Sequence, residues 1–131
     1  MTHRSRRAAR GMTLVELMVA MLVMTIGIVG LVAMMARASQ AAAGADDSQR
    51  AALLAGELAN DMWIYNNLNP PTLAAWRTRI ATPAQSGLIG ATGAVTTPEP
   101  NVARITITWA APGAKDINVS RRMYFTNVRL N

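Results

Sequence analysis

Polar and apolar residues divide this chain into unlike stretches. A basic leader precedes Gly11. From Met12 the chain turns apolar, and one acid, Glu16, interrupts it. Leu17 to Ala36 then runs for twenty residues without a charge. At ~1.5 Å per residue such a helix spans ~30 Å, about the hydrocarbon thickness of a bilayer. Beyond Ala36 the pattern becomes amphipathic. Ala38 to Ala45 is alanine-rich and helix-favouring, and Asp46 stands four residues before Arg50 in the favourable acid-first order. Leu54, Leu58, Met62 and Tyr65 recur at helical spacing, which predicts one buried stripe. The breaker cluster Asn67-Leu68-Asn69-Pro70-Pro71 predicts that the helix ends near Asn66.

The remainder predicts a small sheet. Leu73 to Ile80 suits a short helix carrying Trp76. Thr82 to Pro100, rich in Gly, Thr and Pro, reads as loop with at most one short strand. Val102 to Trp109 alternates, with Ala103, Ile105, Ile107 and Trp109 on one face and Arg104, Thr106 and Thr108 on the other. Ala110 to Ala114 reads as a turn. Ile117 to Leu130 reads as a second strand whose parity changes at Arg121-Arg122, which suggests a bulge there. So small a sheet cannot bury enough surface alone and must pack on the helix stripe.

Charge changes the picture at the N-terminus. Of thirteen Lys and Arg, four (Arg4, Arg6, Arg7 and Arg10) lie in the leader; the nine that remain face seven acids, a net of +2. The basic balance of the whole chain therefore does not argue for nucleic acid. The leader arginines instead set orientation, with the leader cytoplasmic and the rest across the membrane. An oxidising compartment is then expected for the later residues, yet the chain has no cysteine, so they must fold without disulfides.

Catalytic chemistry has little to draw on. The single histidine, His3, lies in the leader, and no carboxylate pair or phosphate loop stands out. Neither an enzyme nor a cofactor or metal is expected. Arg121, Arg122 and Arg129 form the one basic cluster beyond the helix, with Tyr124 and Phe125 nearby. Contact with nucleic acid is one reading of them. Three arginines make a modest salt-sensitive footprint. Arginines blunting an exposed sheet edge is the favoured reading, and nucleic acid is not the expected partner.

Glu16 needs a partner, because a carboxylate in lipid costs roughly 2–3 kcal/mol on insertion scales. The sequence Gly11-Met12-Thr13-Leu14-Val15-Glu16, followed by the uncharged run, resembles the class III leader of type IV prepilins and type II secretion pseudopilins. Met12 stands where Phe is usual. The resemblance implies a membrane peptidase that cuts between Gly11 and Met12 and methylates the new amine of Met12. Glu16 is then the fifth mature residue and an assembly contact. Ala33 occupies a place where major pilins often carry Pro, and the lack of cysteine fits minor pilins and pseudopilins better than major ones.

The implied fold is α+β and pilin-like: a long N-terminal helix, membrane-spanning in its first half, with a small antiparallel sheet packed on its C-terminal half. The implied organisation is leader 1–11, transmembrane and assembly helix 12–36, amphipathic continuation 37–66 and β domain 67–131. The run Met24 to Leu31 and the strand Ile105 to Trp109 resemble PilV-type minor pilins. That resemblance implies a structural subunit that primes or modifies pilus assembly, inserted in the inner membrane with its C-terminal domain periplasmic before it enters the pilus. Implied partners are other minor and major pilins, the prepilin peptidase and the inner-membrane assembly platform, with a tip adhesin a further candidate. A minor pseudopilin of a type II secretion system, or a DNA-binding minor pilin of an uptake pilus, is the alternative.

Overall fold

The computed structural model describes residues 13–116 and 118–131. The leader, Gly11, Met12 and Ile117 lie outside the described residues. Helix α1 spans Leu14–Ile64, and the chain divides into two compact units at Ala38 and Ser39.

In the first unit, the described residues form the opening part of α1, and all of them are exposed. An eighteen-residue window of this helix reaches a mean hydropathy of 2.6 and is long and apolar enough to cross a membrane. The one hydroxyl in its uncharged run is turned back on the helix: the Thr25 hydroxyl donates to the Leu22 carbonyl at 2.8 Å. Such a bond lets a hydroxyl sit in an apolar setting without an unmet donor.

The second unit holds the rest of α1, then α2 (Leu73–Ala81), α3 (Pro83–Ser86) and strands β1 (Thr92–Glu99), β2 (Val102–Ala110) and β3 (Arg121–Arg129). The sheet is antiparallel in the order β1-β2-β3. Alternation along β2 follows the sequence pattern: Ala103, Ile105, Ile107 and Trp109 are buried, while Arg104 is exposed and Thr106 and Thr108 are half-buried. The inner face of the sheet meets Leu58 and Met62 of α1 in one core, together with Trp76 and Ile80 of α2.

Alanines carry more of that core than the sequence stripe implies. Ala51, Ala55, Leu58 and Met62 are fully buried, at spacings of four, three and four. Leu54 is partly buried at the margin of the core, and Tyr65 is exposed at 51%. The reason is the helix end. Asn66 adopts φ 45°, the left-handed region; its N–H donates to the Trp63 carbonyl, and the Asn67 N–H reaches back to Met62. These two bonds are a Schellman cap with Asn in the glycine position. They take Tyr65 off the helical stripe just after Ile64. Replacing Leu58 by Ala is expected to cost ~2–5 kcal/mol, as full burial implies. Urea unfolding of a fragment starting at Ser39 checks this. A fragment starting after Pro71 is expected to show no cooperative transition, because it lacks Ala51, Ala55, Leu58 and Met62.

Two expectations about the sheet are corrected. The stretch after Thr82 contains an eight-residue strand, β1, and a helical turn, not chiefly loop. Gly93 and Val95 are the residues it turns partly inward. A Cβ at Gly93 would collide with the Trp76 indole, so the glycine marks close approach of α2 and not a break in the strand. Second, β3 begins at Arg121, and residues 118–120 form a turn and bend. The Asn118 N–H donates to Asp116 Oδ1 at 2.8 Å, an Asx turn. The parity change is therefore the strand's start. Pairing from Ala110–Arg121 to Val102–Arg129 is unbroken, and the irregular register lies instead in β1, between Thr96 and Glu99.

Candidate functional site

The N-terminal end of α1 is a built helix start. Thr13 is its N-cap: the Thr13 carbonyl accepts from Leu17 N–H at 3.2 Å, and the Thr13 hydroxyl accepts from Glu16 N–H at 3.3 Å. Thr13 and Glu16 thus occupy the first and fourth places of a Thr-x-x-Glu capping box. A carboxylate in the first turn also meets the positive end of the helix dipole. The sequence carried this signal in Thr13-Leu14-Val15-Glu16, and a search for charge partners alone passes over Thr13.

Glu16 is exposed and makes no ion pair with another described residue. Around and after it the apolar surface is unbroken: Leu14, Val15, Leu17, Met18, Val19 and Met21 all stand open, and so do the large residues as far as Met35. An apolar face of this extent is unstable in water and demands lipid or other helices. Gly27 and Gly30 open this surface further, since a Cβ at either would meet nothing within 4 Å.

In the second unit the three arginines do not converge. Arg121 and Arg129 stand at opposite ends of β3, eight residues apart. At ~3.3 Å per residue that separates their backbones by ~26 Å. Arg121 Nη2 donates to the Gly90 carbonyl at 3.1 Å and lies 3.4 Å from the Thr108 carbonyl. Arg129 pairs with Glu99 at 3.3 Å, both side chains being exposed. The Arg122 guanidinium lies over Gly44, where it would collide with any Cβ, and Gly44 is the first buried residue of α1. Arg121 and Arg129 thus have local partners, Arg122 packs over Gly44, and the three form no joint phosphate-binding patch.

The outer side of the same helix segment presents a second apolar surface. Leu53, Trp63 and Ile64 are exposed, Trp63 at 64%, and Trp63 borders a shallow groove with Gly56, Ala59 and Asn60. On the flank toward α2, Glu57 pairs with Arg79, and Thr72 donates to Asp61 at 2.7 Å. Asp46 pairs with Arg50 at 2.9 Å, and that hydrogen bond raises the guanidinium's pKa further above its ordinary value. Among the described residues, no three His, Cys, Asp or Glu side chains gather closely enough to hold a metal ion.

No curated protein and no solved structure matches the chain. Residues 6–32 match the family model described as the prokaryotic N-terminal methylation motif. That segment takes in the leader arginines from Arg6, Gly11, Thr13, Glu16 and the uncharged run as far as Val32, sixteen of its twenty residues. The match and the long apolar helix are consistent with membrane anchoring, and they support a type IV prepilin-like chain.

Proposed function

We propose that this chain is a minor pilin of the PilV type, a non-enzymatic structural subunit that primes or modifies assembly of a type IV pilus. The observation that carries the reading is Glu16: a carboxylate in the first turn of a fully exposed apolar helix, inside a matched methylation motif. A lone membrane anchor can use that charge only at its own helix start. An assembly helix gives it a further use, because each neighbour brings an N-terminal amine.

The prepilin peptidase cuts between Gly11 and Met12 on the cytoplasmic side and methylates Met12. The precursor waits in the inner membrane with its sheet in the periplasm. In the fibre the apolar helices bundle, and Glu16 meets the Met12 amine of its own or an adjoining subunit. In a low-dielectric bundle an unpaired carboxylate is costly, so the pairing favours one axial register over others. Other minor and major pilins and the assembly platform are the partners, with a tip adhesin a further one. The dispersal of Arg121, Arg122 and Arg129 speaks for a structural rather than a nucleic-acid-binding subunit.

Intact mass of the chain recovered from membranes or sheared fibres tests the reading. The expected species starts at Met12 and carries one added methyl. Replacing Gly11 with a bulky residue is expected to leave only the full-length precursor. An unprocessed native chain, or a mature terminus beyond residue 36, would overturn it.

A further inference from the structure

We propose that the open edge of β3 is a strand-addition site for an extended, acid-flanked peptide segment of a partner protein. This goes beyond the assembly helix and rests on the second unit alone. In the order β1-β2-β3, β3 has a neighbour on one side only. Its hydrogen-bonding phase follows from the pairs just beyond its ends. Ala111 N–H donates to the Ser120 carbonyl, and Leu130 N–H donates to the Asn101 carbonyl. Opposed residues in an antiparallel ladder alternate between bonded and non-bonded pairs. With the unbroken register, the even-numbered residues of β3 therefore bond to β2. Arg121, Met123, Phe125, Asn127 and Arg129 turn their N–H and C=O groups to the open side.

The middle of this edge lacks the usual defences. Natural edges are blunted by Pro, bulges, short length or charges along the strand. The other edge, β1, has Pro98 and a register irregularity between Thr96 and Glu99. β3 has nine residues with neither. Its arginines stand at the ends, so they leave the middle open. There Met123 and Phe125 expose 64% and 55% of their surface. The outer face is also held in place: the Arg104 guanidinium sits 5.3 Å from the Phe125 ring centroid, and its Nε donates to Asn127 Oδ1 at 3.1 Å. A strand entering here would find oriented backbone groups and a fixed aromatic, which lowers the ordering cost of binding.

Charge selects the occupant. A second copy pairing antiparallel with full overlap, centred on Phe125, would set Arg121 against Arg129 at both ends. Like charges directly opposed are unfavourable. The charged groups on this face are Arg104, Arg121 and Arg129 against Glu99, a net of +2. Arg121 and Arg129 each use one terminal nitrogen locally, and a guanidinium has five donors. A segment with small or β-branched residues alternating in its middle and Asp or Glu at each end complements both the edge and its flanks.

The test uses the full chain in detergent micelles. The probe is a synthetic peptide of alternating valine and threonine between glutamate pairs, and its counterpart carries lysine pairs. The glutamate peptide is expected to bind about tenfold tighter or better, a difference that shrinks with salt. It is expected to slow amide exchange at Met123, Phe125 and Asn127. Met123→Pro deletes one outward N–H without touching the β2 ladder and is expected to cost about tenfold in affinity; Met123→Ala keeps the N–H and is expected to bind within about threefold of wild type. Should Met123→Pro fail to fold, a glutamate peptide N-methylated at alternate amides is expected to lose binding to the native chain. Equal binding of the two peptides overturns the proposal. So does exchange protection away from β3, or pairing of two copies through β3 in the absence of peptide.

Discussion

Glu16→Ala is expected to leave membrane insertion intact and to deplete the chain from assembled fibres. Insertion should be equal or better, because a carboxylate that costs roughly 2–3 kcal/mol in lipid has been removed. Cleavage after Gly11 should continue, since the cut site is unchanged. Association with other subunits should fall about tenfold or more, for which the loss of ~1.4 kcal/mol is enough. Glu16→Gln separates charge from shape: it keeps the volume, loses the ion pair, and is expected to behave like Ala. Quantitative blotting of membrane and sheared-fibre fractions reads both steps at once. Wild-type incorporation of both variants would leave α1 as an anchor only.

The second large effect is expected at Trp76. Its side chain is 3% exposed, its indole N–H donates to the Leu54 carbonyl at 2.8 Å, and its ring lies against Gly93. One residue thus ties α2 to both α1 and β1. Trp76→Ala should destabilise the second unit by ~3–5 kcal/mol, a large share of the ~5–15 kcal/mol typical of a whole domain. Gly93→Val attacks the same contact from the other side, by overpacking, at ~1–3 kcal/mol or more. Urea midpoints for both variants check the pair. If Gly93→Val matches wild type, the indole does not hold the position described.

The alternation of β2 and the breaker cluster after Asn66 were legible because each rests on local side-chain pattern. β1 was not, because its inward face is made of Gly93 and Val95 and its ends carry Thr and Pro. Read locally these residues mean loop; only the indole on the next layer explains the glycine. Ala51 and Ala55 were passed over for a related reason. Alanine scores as a helix former and not as core, so Leu54 and Tyr65 took their place in the expected stripe. The arginines of β3 looked like a cluster because they are close in sequence, but an extended strand carries Arg121 and Arg129 far apart and points Arg122 to the other side. At the N-terminus, Glu16 and the uncharged run were plain, but the Thr13 cap was passed over, although its spacing to Glu16 carried the signal.

Ala51 and Ala55 also fix what this fold can tolerate. On the buried side of α1 the helix gives up volume so that Trp76, Trp109 and the isoleucines of β2 can fill the space. The limit at those two positions is therefore one of size, not of apolarity. Enlarging either alanine would overpack the core they share, while the same enlargement beside Leu53 or Trp63 falls at exposed positions. The inner face of this segment is thus sterically closed to variation. Its outer face is free to diverge as the molecules around it change.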